Sequence, residues 1–170
     1  MLSLLRPKVN PAVQTLHAAI MQGSRHESFY ARHAVPDTLD GRFGLVAVHA
    51  FLVLRCLRGA HEALAQQIFD RLFAQIDLNL RELGVGDLGV GKRVRVMAEA
   101  LYGCMSAYEA GLKSDDDVLY RALANNLYGT LPEAPKLETV QPVIAYIREN
   151  ACLLEKQLPD DTVIVWRHHE

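Results

Sequence analysis

The sequence has few of the residues that build disulfide frameworks or metal centres, and it has no excess of positive charge. Three of its 170 residues are cysteines, and the formal net charge is −2. Cys56, Cys104 and Cys152 lie far apart, so their spacing predicts neither a disulfide framework nor a zinc site. Each stands among apolar residues, so we expect three buried thiols in a reducing compartment. A general nucleic-acid binder would usually be strongly basic, so that class is not favoured.

No apolar run in the sequence is long enough to cross a bilayer. The longest one, Leu45 to Leu54, is interrupted by His49, whereas a transmembrane helix needs about 20 apolar residues. The first residues, MLSLLRPKVNP, also lack the apolar core and cleavage site of a signal peptide. We therefore expect a cytoplasmic protein without a transmembrane segment, in which the run forms a buried helix.

The seven histidines do not form a metal-binding pattern, because no two of them are four residues apart. His49 is either a haem ligand or a core histidine whose ring nitrogens are satisfied by hydrogen bonds, and we favour the second interpretation. His168 and His169 close a C-terminal tail that we expect to be mobile. In the same tail, residues 162–166 are β-prone but have no visible partner strand. We predict no catalytic residue, no metal and no cofactor.

Glycines and capping residues divide the chain into six or seven helices. The predicted helices span residues 11–23, 24–30, 40–58, 61–83, 90–110, 114–129 and 139–158. Asn10 and Thr38 or Asp37 are predicted N-caps, and Ser24 with Glu27 fits a capping box. We predict an all-α, single-domain bundle.

Within that bundle, residues 1–35 hold the N-terminal helices and residues 36–158 form the core. Residues 159–170 form the tail. Pro142 is expected in the first turn of the last helix, where a missing N–H group is tolerated.

The most unusual segment is GVGDLGVGKRVRV, residues 84–96. Its glycines satisfy G-x-G-x-x-G, and with the following lysine they satisfy G-x-x-x-x-G-K, which are two phosphate-binding patterns. Both patterns require a preceding β-strand, but the residues before Gly84 have helical periodicity. A P-loop also needs Ser or Thr after Lys92, where this sequence has Arg93. We therefore expect no ATP or NAD binding, and a nucleotide- or small-molecule-dependent enzyme is the weaker alternative.

Two interpretations of this segment stay open. As an interhelical linker, it would use Gly84 as a C-cap and Asp87 as the cap of the next helix. As a partner surface, it would present open backbone beside a cluster of cations to a partner chain or an anionic group. The charged residues after Pro36 also have two interpretations. They either cap a helix and form an Asp37–Arg42 ion pair, or they are part of a contact surface for a partner.

Five motifs together resemble the ubiquinol–cytochrome c chaperone family, the bacterial relative of the mitochondrial assembly factor for complex III. The motifs are PDTLDGRF (residues 36–43), HAFLVLR (49–55), NLRELGVGDLGVGKRV (79–94), MAEALYG (97–103) and ALANNLYG (122–129). The resemblance implies an all-helical, non-enzymatic chaperone that binds newly made cytochrome b and promotes assembly of the cytochrome bc complex. We expect a location at the inner face of the bacterial inner membrane, with the ribosome or that membrane surface as further candidate partners.

We assign the partner surface to two segments, residues 37–43 and 84–95. The predicted partner-binding residues are Asp37, Asp40, Arg42, Phe43, Gly84, Gly86, Asp87, Gly89, Gly91, Lys92, Arg93 and Arg95. A helix before Gly84, with the loop packed against residues 36–43, would favour the chaperone or a generic helical adaptor. A strand before Gly84 would favour the enzyme.

Overall fold

Residues 10–168, which the structure describes, form seven helices in a computed structural model. The helices α1 to α7 span Pro11–Gly23, Ser28–Ala31, Leu39–Leu57, Glu62–Glu82, Asp87–Leu112, Asp116–Asn126 and Leu137–Gln157. Six have at least eleven residues, and α2 is a single turn. There is no β-strand between residues 10 and 168, which confirms the all-α prediction.

Helix α3 is the centre of the bundle. Twelve of its nineteen residues are buried, and it packs against α1, α4, α5 and α7. The predicted apolar run from Leu45 to Leu54 supplies most of this buried surface. A helix that is apolar on every side is stable in water only when neighbours surround it. The remaining helices are arranged accordingly, with α6 packed between α5 and α7.

Close approach of α5 and α6 depends on a glycine. A Cβ atom added to Gly111 would lie 2.8 Å from the Cα atom of Leu119 on α6. Real Cβ atoms do not come so close to backbone, so any larger residue at position 111 would push the two helices apart.

Side-chain caps confirm the two predicted N-caps, and a third cap, which was not predicted, begins α6. The Asn10 carboxamide accepts a hydrogen bond from the backbone N–H of residue 12 at 3.0 Å, and the Thr38 hydroxyl accepts one from residue 41 at 3.1 Å. Asp115 accepts one from residue 118 at 3.1 Å and is followed by two further acidic residues in the first turn of α6. Each cap satisfies a backbone donor that the helix leaves unpaired.

Other local predictions are wrong. Ser24 does not cap α2, because its hydroxyl donates to the carbonyl oxygen of Met21 at 3.0 Å and α2 begins at Ser28. Helix α6 ends at Asn126, three residues before the predicted end. Pro142 lies in the second turn of α7, because that helix starts two residues earlier than predicted.

The cysteines are not all buried as predicted. Cys104 is buried, Cys56 is half-buried and Cys152 is exposed on α7. Burial raises the pKa of Cys56 to about 11, so this side chain is a neutral thiol at physiological pH.

Leu52→Ala should lower the free energy of unfolding by about 2–5 kcal/mol, because it opens a cavity at a site with no solvent exposure. Chemical denaturation monitored by circular dichroism measures the change. The control is Leu88→Ala, at a leucine that is 97% exposed, which should change stability by less than about 0.5 kcal/mol. Equal losses in the two variants would contradict the central position of α3.

Candidate functional site

A surface groove of about 670 Å³ lies between the start of α3 and the C-terminal half of α4. We call it the α3–α4 groove. The end of α1 closes one side, and Met97 of α5 contributes to the lining. Its apolar lining consists of Met21, Leu39, Phe43, Val46, Leu72, Ile76, Leu80, Leu83 and Met97. Leu39, the first residue of α3, remains 56% exposed, and Leu83, which directly follows α4, remains 70% exposed.

The rim of the groove is polar and carries charges of both signs. Asp37 accepts a hydrogen bond from Nε of Arg42 at 2.7 Å, and this bond lowers the pKa of the Asp37 carboxyl, so the pair stays ionised at neutral pH. Arg25 and Glu82 add one charge of each sign to the lining. The capping and ion-pair interpretation of residues 37–42 is therefore confirmed, and the same pair lies at the groove.

More of the glycine-rich segment is helical than the predicted helix start at residue 90 allowed. Gly84 has φ +81° and ends α4, and Gly86 is the N-cap residue of α5. Helix α5 begins at Asp87, three residues before the predicted start, so Gly89 and Gly91 lie inside it. A Cβ atom added to Gly91 would meet no atom within 4 Å, so packing does not require a glycine there.

We predicted that Asp87 caps α5, but it is the first residue of that helix. Its carboxylate accepts a hydrogen bond from Arg81, which also bonds Asp77 at 2.6 Å. Arg81 therefore ties the end of α4 to the start of α5.

The cations of the segment are exposed on the first three turns of α5. Arg95 pairs with Glu99 at 3.0 Å, one helical turn further on. Within the described chain, Lys92 and Arg93 form no ion pair. An ion pair at a helix surface, such as that of Arg95 with Glu99, contributes only a few tenths of a kcal/mol to stability. All three cations are therefore accessible to a partner.

A model of the ubiquinol-cytochrome c chaperone family matches residues 31–166, which are about four fifths of the chain. The chain belongs to this family. It is similar to the crystal structure of the Cbp3 homolog from Brucella abortus, with 35% identity and a TM-score of 0.76 over 88% of this chain and 83% of that one.

Relatives among animals are more distant. The ubiquinol-cytochrome-c reductase complex assembly factor 1 of Xenopus laevis is 21% identical over 94% of this chain and 82% of its own length. The factor of the same name from Mus musculus is 20% identical over 94% of this chain, which spans 56% of the mouse protein. The resemblance seen in the five motifs is thus confirmed.

The two segments that we assigned to the partner surface lie differently with respect to the groove. Asp37, Arg42 and Phe43 of the first segment line it, whereas Asp40 does not. The lining on the α4 side reaches Leu83, one residue before the second segment. Residues 84–95 therefore border the groove along the chain without lining it.

Sequence reasoning missed the contribution of α4 to the groove. Leu72, Ile76 and Leu80 follow one another at helical spacing, which indicates an apolar face but not which part of that face is covered. The helix before Gly84 is confirmed as α4, so neither phosphate-binding pattern has the strand that it requires.

His49 is a core histidine, as favoured from the sequence. It is fully buried, its Nδ1–H donates to the carbonyl oxygen of Leu45 at 2.7 Å, and its Nε2 accepts from the hydroxyl of Tyr146 at 2.8 Å. With both ring nitrogens bonded within the protein, the side chain is not available as a haem ligand. Among residues 10–168, no group of three or more His, Cys, Asp or Glu side chains is placed to hold a metal ion.

The expected mobility of the tail is wrong for His168. Its ring stacks on that of His26 at a centroid distance of 3.6 Å and lies 5.1 Å from that of Tyr146. His169 is outside the described residues. None of the helices in the described part of the chain is long and apolar enough to span a membrane.

Burial of His49 should make stability depend on pH. Burial lowers the pKa of His49 to about 4 from the usual 6.5. Between those two values the unfolded chain binds a proton that the folded chain does not, so the free energy of unfolding falls as the pH decreases. The loss from this residue reaches at most about 3 kcal/mol.

His49→Gln should therefore reduce the slope of unfolding free energy against pH between about 6.5 and 4, as measured by urea denaturation. Burial also lowers the pKa of His17 and of His168, so part of the slope should remain. The control is His61→Gln, which removes a histidine at an exposed position before α4 instead of a buried one. An unchanged slope in His49→Gln would show that folding does not lower the pKa of this histidine.

Proposed function

We propose that this protein is an assembly chaperone that binds newly made cytochrome b in the α3–α4 groove and promotes assembly of the respiratory cytochrome bc complex. The observation that carries the proposal is an apolar groove, open to solvent, on a member of this chaperone family. The names of its relatives, which are assembly factors of the ubiquinol–cytochrome c reductase complex, support the same assignment.

The size of the groove suits part of a helix. A volume of about 670 Å³ is within the usual range for ligand pockets and accepts several large side chains, but not the whole cross-section of a helix. An apolar helix could lay one face into such a groove, with anchors at positions i, i+3 or i+4, and i+7. Newly made transmembrane segments have such apolar faces and must be shielded from water until they are inserted.

Leu39 at the start of α3 and Leu83 just after the end of α4 both line the groove and are both largely exposed. Binding of a client would remove apolar surface of both leucines from contact with water. This burial favours binding by about 25 cal/mol per Å². The rim charges would then set the orientation of the client's polar flanks, and the packing would provide most of the affinity. This role needs no nucleophile, base, metal or cofactor.

We place the protein in the cytoplasm, at the inner face of the inner membrane, where cytochrome b is inserted. The ribosome and the membrane surface are further candidate partners at that location. Affinity purification from membranes in gentle detergent tests the function: cytochrome b should be recovered with the chaperone. Recovery of unrelated proteins without cytochrome b would instead indicate a generic helical adaptor.

The double variant Leu39→Ser and Leu83→Ser should reduce the capture of newly synthesised cytochrome b, because it removes the two exposed apolar side chains of the groove walls. The readout is pull-down after pulse labelling, with thermal melting measured on the same preparation. Removing several apolar contacts of this kind should weaken binding at least about tenfold.

A matched control is available in the same chain. Leu78→Ser and Leu137→Ser change two leucines that are exposed on α4 and α7 but do not line the groove. Normal capture by the groove variant, or equal loss in both variants, would rule out the groove as the client site.

Reversal of charge on α5 tests the second segment. Lys92→Glu with Arg95→Glu should leave the fold intact, because both side chains are exposed, and should weaken cytochrome b capture and lower the level of assembled bc complex. Undiminished capture by the folded variant would remove this patch from the binding surface. Loss of capture together with a large drop in melting temperature would assign the segment a structural role.

A further inference from the structure

The last described residues form an extended segment, residues 161–167, which we call the extended tail. Its side chains alternate in exposure: Ile164 is buried and Trp166 half-buried, whereas Val163 and Val165 are 62% and 78% exposed. A period of two is that of a β-strand. The inward-facing Trp166 fixes the tail to α1, because its Nε1–H donates to the carbonyl oxygen of Ala19 at 2.8 Å.

One edge of the extended tail is occupied by side chains of α7. The Asn150 carboxamide bonds both the N–H and the C=O of Arg167, each at 3.1 Å, and the Gln157 carboxamide donates to the C=O of Val163. In an extended chain, the backbone groups of alternate residues point to opposite edges. The odd-numbered residues of the tail therefore face α7.

The even-numbered residues, Thr162, Ile164 and Trp166, present their backbone groups at the other edge. None of these N–H or C=O groups forms a hydrogen bond with any residue from 10 to 168. Backbone groups that stay unpaired away from water are destabilising, so these groups need water or another partner. A β-branched strand with unpaired backbone groups along one edge is a template for pairing with another strand.

The sequence of the tail is complementary to itself in one register. In an antiparallel pair centred on Ile164, Val163 lies opposite Val165 of the second copy, and Asp161 lies opposite Arg167 of the second copy. Both pairs fall on the exposed face, where cross-strand apolar and opposite-charge pairs are favourable. The hydrogen-bonded pairs of this register are 164 with 164 and 162 with 166, which are the residues with open backbone groups.

We propose that the extended tail is a dimerisation strand, through which two copies of this protein pair antiparallel about Ile164. The short ribbon buries little surface, so the dimer is a weak one that forms and dissociates readily. The occupant is a second copy because the charges at the two ends of the tail match in that register.

A charge swap tests the pairing, with sedimentation equilibrium over a range of protein concentrations as the readout. Asp161→Arg and Arg167→Asp each place like charges opposite one another at both ends of the ribbon, so each should raise the dimer dissociation constant at least about tenfold. The double variant should restore the dimer. Lys156→Asp, at an exposed position on α7 outside the ribbon, should leave the dimer unchanged.

Restoration by the double variant cannot arise within one chain. Arg167 pairs with Glu149 at 3.3 Å and Asp161 accepts from the N–H of Val163 at 2.8 Å, and the double variant loses both contacts. A monomer at every concentration would overturn the proposal, and so would a dimer that is indifferent to the single swaps or is not restored by the double.

Cross-linking tests the register. In a Cys152→Ser background, Val163→Cys with Val165→Cys should give a covalent dimer on oxidation, because opposite residues in such a pair have Cα atoms about 4.5 Å apart. Val163→Cys alone should not, since its opposite residue is Val165. Equal cross-linking by the single variant, or none by the double, would contradict the register.

Discussion

The bundle depends on burying α3 on all sides. From Gly44 to Leu54 this helix has no polar face, so it cannot lie at a surface. Helices α1, α4, α5 and α7 cover it, although they are dispersed along the chain. The apolar run therefore fixes the arrangement of the other helices, and the α3–α4 groove is the place where the cover over the first turns of α3 is incomplete.

His49 is the polar exception in that run, and its environment shows what its burial requires. A buried imidazole with an unpaired nitrogen would be destabilising, so Tyr146 of α7 supplies a hydrogen bond from 97 residues away. The ring of Trp166 packs edge to face with that of His49, at a centroid distance of 4.7 Å. A Cβ atom added to Gly23 would lie 2.4 Å from Cδ2 of His49. Gly23 thus both ends α1 and leaves room for the histidine and the tail.

Sequence reasoning succeeded where the cause is local. The N-caps at Asn10 and Thr38 and the left-handed glycine at the end of α4 follow from nearby backbone chemistry, and the buried run follows from composition. It failed where a residue far away in the sequence determines the position of a side chain. Trp166 bonds Ala19, 147 residues away, and nothing near His168 in sequence predicts its stacking on His26.

The glycine-rich segment failed for a different reason. Each glycine inside a helix costs about 1 kcal/mol relative to alanine, so local propensity placed Gly89 before the predicted start of α5. The 26-residue length of α5 and its packing against three other helices outweigh that cost. The same reasoning explains why the groove was missed, because spacing along α4 indicates an apolar face but not the gap in its cover.

The two ends of α5 are consequently stabilised in different ways. Its second half packs closely through Gly111 onto Leu119, whereas its first turns contain an open Gly91 and exposed Leu88. Few buried contacts and an intrinsically weak helix make those first turns the part of α5 where local opening costs least. Arg81 offsets some of that weakness by joining the start of α5 to α4. The molecule thus places the buried helix α3 near a helix start with few buried residues, and the groove is bordered by both.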